Sequence, residues 1–211
     1  MDNEISCLIC NNSQLKNIKW QDYNILKCLK CDFVFCSEFL DKEELGDSSP
    51  VDKKGTNMMA RSFYETQKKA SLYAKKRIEF YEKILNRKCI NILEIGCGPG
   101  VFYKPMEALN VQWTGIEINP FWIKFGKKNK IPILKKNLNS FTSKFDIITS
   151  HQVLEHVEKP SQFIRDINKQ LKPGGILHLE LPNHYSLSST LRKISPYISK
   201  EYGFIQPPMH M

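Results

Sequence analysis

Two sets of residues in this chain have the types and spacing to do chemistry. One is a pair of identical cysteine hooks, Cys7-x-x-Cys10 and Cys28-x-x-Cys31. The other is the glycine-rich run Glu94-Ile95-Gly96-Cys97-Gly98-Pro99-Gly100. A C-x-x-C hook puts two thiolates on one side of a metal ion, and two hooks complete a tetrahedron with no open position, which is structural zinc chemistry. Disulfide pairing is the competing reading. No leader segment is apparent and no stretch is apolar enough to cross a membrane, so the chain is expected to be cytoplasmic, which disfavours disulfides. Cys36, Cys89 and Cys97 fit neither hook, and Cys36 is expected to pack. In the glycine run, an apolar strand ends in an acid and then three glycines at alternate positions. Glycine lets a ligand come close to a strand-to-helix turn, and the amides opening the next helix face an anionic group on it. At this point a turn without a ligand remains the alternative.

The spacing G-x-G-x-G differs from the G-x-G-x-x-G of dinucleotide folds. With its preceding acid, it resembles motif I of the class I S-adenosylmethionine-dependent methyltransferases. The resemblance implies that Gly96, Cys97, Gly98 and Gly100 lie against the methionine part of S-adenosylmethionine and that Glu94 helps to hold its ammonium group. Glu117, at the end of the next strand, is placed to accept hydrogen bonds from both ribose hydroxyls. By the same resemblance Ile118 lies against the adenine. Asn137-Leu138 stand where the family has an acid and a neighbour at the adenine edge, and the asparagine can still accept through its carbonyl oxygen. The run Phe145-Asp-Ile-Ile-Thr-Ser-His-Gln-Val-Leu-Glu-His-Val157 and the turn Lys172-Pro-Gly-Gly175 also resemble the family, with Ser150 and His151 ending a strand beside the sulfonium. Cys28-Leu-Lys-Cys31-Asp-Phe-Val-Phe35 is similar to the zinc-binding module preceding many bacterial methyltransferases, including sugar C-methyltransferases. That module usually has glycine where this chain has Asp32, and aspartate tolerates a left-handed backbone better than most residues.

These residues need a scaffold to position them. Short apolar runs alternating with helical stretches predict an α/β fold, a Rossmann-like parallel sheet with helices on both faces, preceded by a small zinc-ribbon module. The division is a zinc module over 1–40, a polar linker over 41–56 and an S-adenosylmethionine-binding domain over 57–211. Strands are expected near 91–95, 112–117, 132–135, 145–150 and 176–181, and helices near 101–109, 120–129 and 160–171. A long helix over about 58–85 presents Phe63, Ala70, Tyr73, Ala74, Ile78, Tyr81, Ile84 and Leu85 to the core. Right-handed crossovers gather the ligand-bearing loops at the carboxyl ends of the strands.

The resemblance implies a methyltransferase. Transfer from a sulfonium is an in-line displacement governed by alignment, and a base is needed only when a hydroxyl or carbon acid must lose a proton. His151 and His156 are the catalytic candidates because imidazole titrates near neutral pH. The segment after the fourth strand has neither the Asn-Pro-Pro-Tyr type motif of enzymes that methylate a flipped base's amine nor a cysteine for cytosine C5 chemistry. A small-molecule acceptor is therefore expected, a nucleotide-linked sugar or related metabolite. The net charge of +9 and the zinc module also suit RNA, for which affinity would fall steeply with salt. The chain stops soon after its fifth strand, which is expected to be an edge in the usual order. A shortened, non-catalytic partner protein, dimerising or docking through that edge, is therefore the second class of reading.

Overall fold

The computed structural model describes residues 5–20, 23–37 and 61–181. They belong to two compact units, one comprising Met1–Leu40, Gln152–Phe163 and Leu181–Met211, the other Asp41–His151 and Ile164–Glu180. The expected linker at 41–56, and the helix expected within 182–211, fall outside the described residues.

The first unit contains an antiparallel sheet of β1 (Leu15–Trp20), β2 (Tyr23–Cys28) and β3 (Val34–Cys36) in the order β1-β2-β3. The cysteine hooks lie before β1 and between β2 and β3, and they are built alike. Cys7 N donates to Asn12 O and Asn11 N to Cys7 O; Cys28 N donates to Phe33 O and Asp32 N to Cys28 O. Such a tight turn drives the residue after each second cysteine left-handed, Asn11 to φ 56° and Asp32 to φ 60°. Asparagine and aspartate tolerate this conformation. Cys36 is packed, as expected, with Ile25 and Phe35.

The second unit is a five-stranded parallel sheet with the order β6-β5-β4-β7-β8. Its strands are β4 (Asn91–Ile95), β5 (Gln112–Ile116), β6 (Ile133–Leu134), β7 (Phe145–His151) and β8 (Leu171–Glu180). The central strands are buried on both faces, which accounts for their unbroken apolar runs. β8 is an edge among the described residues. It begins earlier than the sequence suggested: Leu171 already pairs with Phe145, Lys172 to Gly175 bulge out, and Ile176 resumes opposite Ile147. The expected turn is thus a bulge inside the strand, with Gly174 left-handed.

The long helix, α1 (Phe63–Leu85), buries Phe63, Ala70, Ala74, Ile78 and Tyr81. Tyr73 and Ile84, expected in the core, are instead exposed, because the stripe that meets the sheet is one face wide. α2 (Tyr103–Glu107) is a single turn or so, shorter than expected. α3 (Pro120–Asn129) starts on an Asn119 cap whose side chain accepts from Phe121 N, with proline at N1. α4 (Pro160–Gln170) precedes β8. The core of this unit joins Ile78 and Tyr81 of α1 to Ile92, Trp113 and Ile147 of the sheet.

Candidate functional site

β4 delivers the glycine turn to the carboxyl edge of the sheet. Gly96 N and Cys97 N both donate to Ile116 O at 2.9 and 3.2 Å, so the turn leans on the end of β5. Two glycines show what the turn requires. At Gly100 (φ 70°) a Cβ would stand 2.8 Å from Ile131, so the backbone there is pressed onto the core. At Gly98 (φ 50°) a Cβ would meet nothing within 4 Å, leaving the outer surface of the turn open to a ligand. Cys97 is buried and its thiol is pushed up by burial, which makes it a packing residue rather than a nucleophile.

Glu117 follows β5 directly and its carboxylate bends back over this turn. One oxygen accepts from Gly98 N at 2.9 Å, and the other accepts from Ile118 N at 2.8 Å and Asn119 N at 3.0 Å. The acid is thereby locked beside the glycine turn. Ile118, beside it, is 63% exposed, an apolar surface that folding does not use. The space over Gly98, the fixed acid and the bare isoleucine follow one another along one edge, and this arrangement fits S-adenosylmethionine. Asn137 caps a 3-10 turn (Leu138–Ser140), its Oδ1 accepting from Asn139 N at 3.2 Å, and Leu138 is buried. Asn137 Oδ1 keeps a second lone pair beyond that bond.

Glu94 sits on the face of the sheet covered by α1, 7% exposed, with Oε2 accepting from the Trp113 indole at 2.8 Å. Burial raises its carboxyl to about 7, against the opposing effect of that hydrogen bond. The strand register puts Glu94 beside Thr149, Thr149 beside His178, and His151 beside Glu180, all on this face. Ser150 points away from it, fully buried, with an Oγ that has no hydrogen-bond partner among the described residues. Burial lowers both His151 and His178 from the usual imidazole value. Gln152 turns the chain out of β7 with φ 54°, a costly conformation for a non-glycine residue. His156 lies in the other unit, in the 3-10 turn Leu154–His156 rather than at a helix start.

The sequence reading missed Trp113, Arg77 and Tyr81 as site residues. Tyr81 bonds His178 Nδ1, and Arg77 donates to Glu180 Oε1 at 3.0 Å. For Arg77 and Tyr81 the sequence signal was the polar pair His178 and Glu180 alternating in an otherwise apolar strand.

In the first unit the four hook sulfurs lie within 4.8 Å of one another, with Cys7 to Cys31 at 3.6 Å and Cys10 to Cys28 at 3.5 Å. Thiolates around tetrahedral zinc, at about 2.3 Å from the ion, stand about 3.8 Å apart. Although burial acts against it, the amides of Cys31 and Lys30 bring the Cys28 thiol down to about 6. The donor set and its spacing fit zinc.

A protein-family description, "Methyltransferase domain", matches residues 65–208. The chain belongs to that family. The methyltransferase domain resembles the mitochondrial ubiquinone biosynthesis O-methyltransferase of Schizosaccharomyces pombe, 31% identical over 118 residues, covering 49% of this chain and 43% of that one. It also resembles the ubiquinone biosynthesis O-methyltransferase of Coxiella burnetii, 27% identical over 157 residues, covering 68% of this chain and 63% of that protein. The chain spans about half or less of the length of the first of the curated relatives it matches. In fold it is similar to the plantazolicin methyltransferase BpumL, solved in complex with SAH, with a TM-score of 0.55 at 21% identity, covering 74% of this chain and 62% of that one. The expected α/β Rossmann-like sheet is therefore the fold of this methyltransferase domain. No helix among the described residues is long and apolar enough to cross a membrane.

Proposed function

We propose that the chain is an S-adenosylmethionine-dependent methyltransferase acting on a hydroxyl of a small molecule. The observation that carries this reading is the carboxylate of Glu117 fixed on the amide of Gly98, where a Cβ would meet nothing within 4 Å among the described residues. When bound, the cofactor supplies an electrophilic methyl group. The chain's own residues do the rest. Gly96, Cys97, Gly98 and Gly100 line the methionine part, Glu94 accepts from the ammonium, Glu117 accepts from the ribose, and Ile118, Asn137 and Leu138 border the adenine. Ser150 and His151 end β7 where the methyl group would be presented. There the half-buried His151, its imidazole held below the usual value by desolvation, can take the proton an acceptor hydroxyl loses. The O-methyltransferase relatives support an oxygen acceptor, and the resemblance of the cysteine module supports a nucleotide-linked sugar as its finer identity. Cys7, Cys10, Cys28 and Cys31 would hold a structural zinc ion, because four thiolates leave no position open for substrate.

Calorimetric titration of the chain with S-adenosylhomocysteine tests the cofactor site. Micromolar binding is expected, and Glu117→Gln should weaken it about 10- to 100-fold, the effect of losing a charged acceptor. If folded protein shows no binding, the enzyme reading fails and the non-catalytic partner reading takes its place.

A further inference from the structure

We propose that His151, His178 and Glu180 form a second metal site, for a divalent transition ion of the zinc class, at the carboxyl ends of β7 and β8. The three side chains share one face of the sheet through the pairing of His151 with Glu180 and of Thr149 with His178. Their donor atoms all lie within 4.8 Å of one another. His178 Nε2 is 3.4 Å and His151 Nε2 is 3.8 Å from Glu180 Oε1. Ligands about 2.1 Å from a tetrahedral ion stand about 3.4 Å apart, so both imidazoles already lie close to that separation from Glu180 Oε1.

Two further observations point to a ligand. His151 Nε2 is shut off from solvent and has no hydrogen-bond partner among the described residues, a state that is costly for a buried polar atom. An ion between the rings would satisfy it. The other two ligands already carry the outer partners that metal sites use to fix their geometry. Tyr81 holds His178 through Nδ1, leaving Nε2 turned to Glu180, and Arg77 donates to Glu180 at 3.0 Å. Phe102 packs edge-on against the His151 ring. Two imidazoles and one carboxylate match zinc or cobalt rather than magnesium or calcium. Three protein ligands also leave a position open, the mark of a reactive rather than a structural centre. On the function proposed above, that position would take the acceptor's hydroxyl oxygen and lower its pKa, and His151 would then act as a ligand in place of a base, the proton leaving to solvent. The metal site itself does not depend on that reading.

The test is metal binding by the full chain, read without any methyl acceptor. Cobalt in four thiolates gives intense sulfur-to-metal absorption in the near ultraviolet, whereas cobalt on two nitrogens and an oxygen gives only weak visible bands. Titration with cobalt should therefore fill two spectroscopically distinct equivalents. Glu180→Gln and His178→Gln should each weaken the sulfur-free equivalent at least tenfold and leave the thiolate band unchanged, with an unchanged thermal melt of each variant reporting that the parallel sheet is intact. A single, thiolate-bound equivalent in the unmodified chain would overturn the proposal. So would a sulfur-free equivalent that both substitutions leave in place. Loss of S-adenosylhomocysteine binding with the second equivalent retained would count against the proposed function alone.

Discussion

Glu94 shows how burial sets the chemistry of a single residue. Its carboxyl is raised from 4.5 to about 7 chiefly by desolvation, so its proton stays on in the folded state over a range where the unfolded chain has lost it. Below pH 4.5 both states are protonated and the group costs nothing. As pH rises from 4.5 through 7, the cofactor-free fold loses stability. Glu94→Gln removes this cost while keeping an acceptor for Trp113. Thermal melts should show the variant more stable than the parent by up to about 3 kcal/mol at pH 8, the difference vanishing below pH 4.5. If Glu94 meets the cofactor's ammonium, the same substitution should weaken S-adenosylhomocysteine binding at pH 8, so stability and affinity move in opposite directions.

Asp146 does at the level of elements what Glu94 does at the site, with the opposite sign. It opens β7, fully buried, and accepts from Arg87, from Ile90 N at 2.9 Å, Asn91 N at 3.1 Å and Lys172 Nζ at 3.0 Å. It thus ties the start of β4 and the bulge of β8 to β7. Burial opposes its ionisation, but these donors hold its carboxyl down at about 2. The stability this gives is present above pH 3.8 and is lost as pH falls from 3.8 towards 2. Asp146→Asn should cost about 3 kcal/mol at pH 7, because two cations and two amides lose their charge partner, and the gap to the parent should close in melts near pH 2. Gly115, in the middle of β5, gives an independent check on how β4 and β5 pack. A Cβ there would stand 2.4 Å from Cys97 Sγ and 2.5 Å from Trp113, so Gly115→Ala should destabilise by about 2 kcal/mol in denaturant melts. Of these two devices, only Asp146 shows in the sequence at all, and then merely as one acid in an apolar strand.

At the scale of the whole molecule, the small sheet of Leu15 to Cys36 has few buried side chains of its own. A segment of that size needs a staple. One zinc ion per chain is expected on the four cysteines, and a strong chelator should release it and abolish the strand signal of β1–β3 in amide hydrogen exchange. Much of the scaffold was legible in the residues themselves. Apolar runs buried on both faces marked β4, β5 and β7. The helical stretch near 120–129 marked α3. The paired hooks marked the two knuckles, with Asp32 left-handed as its side chain permits. These signals are local, set by backbone sterics and the period of a strand or helix, so a short window contains them. What tertiary structure decided was which residues meet. Only the order β6-β5-β4-β7-β8 sets Trp113 against Glu94, swings the Glu117 carboxylate onto Gly98 and gathers His151, His178 and Glu180 under Tyr81 and Arg77. The bulge at Lys172 to Gly175 sets which face of β8 joins that cluster. Contacts between residues distant in sequence depend on strand order and register, and no local preference encodes either.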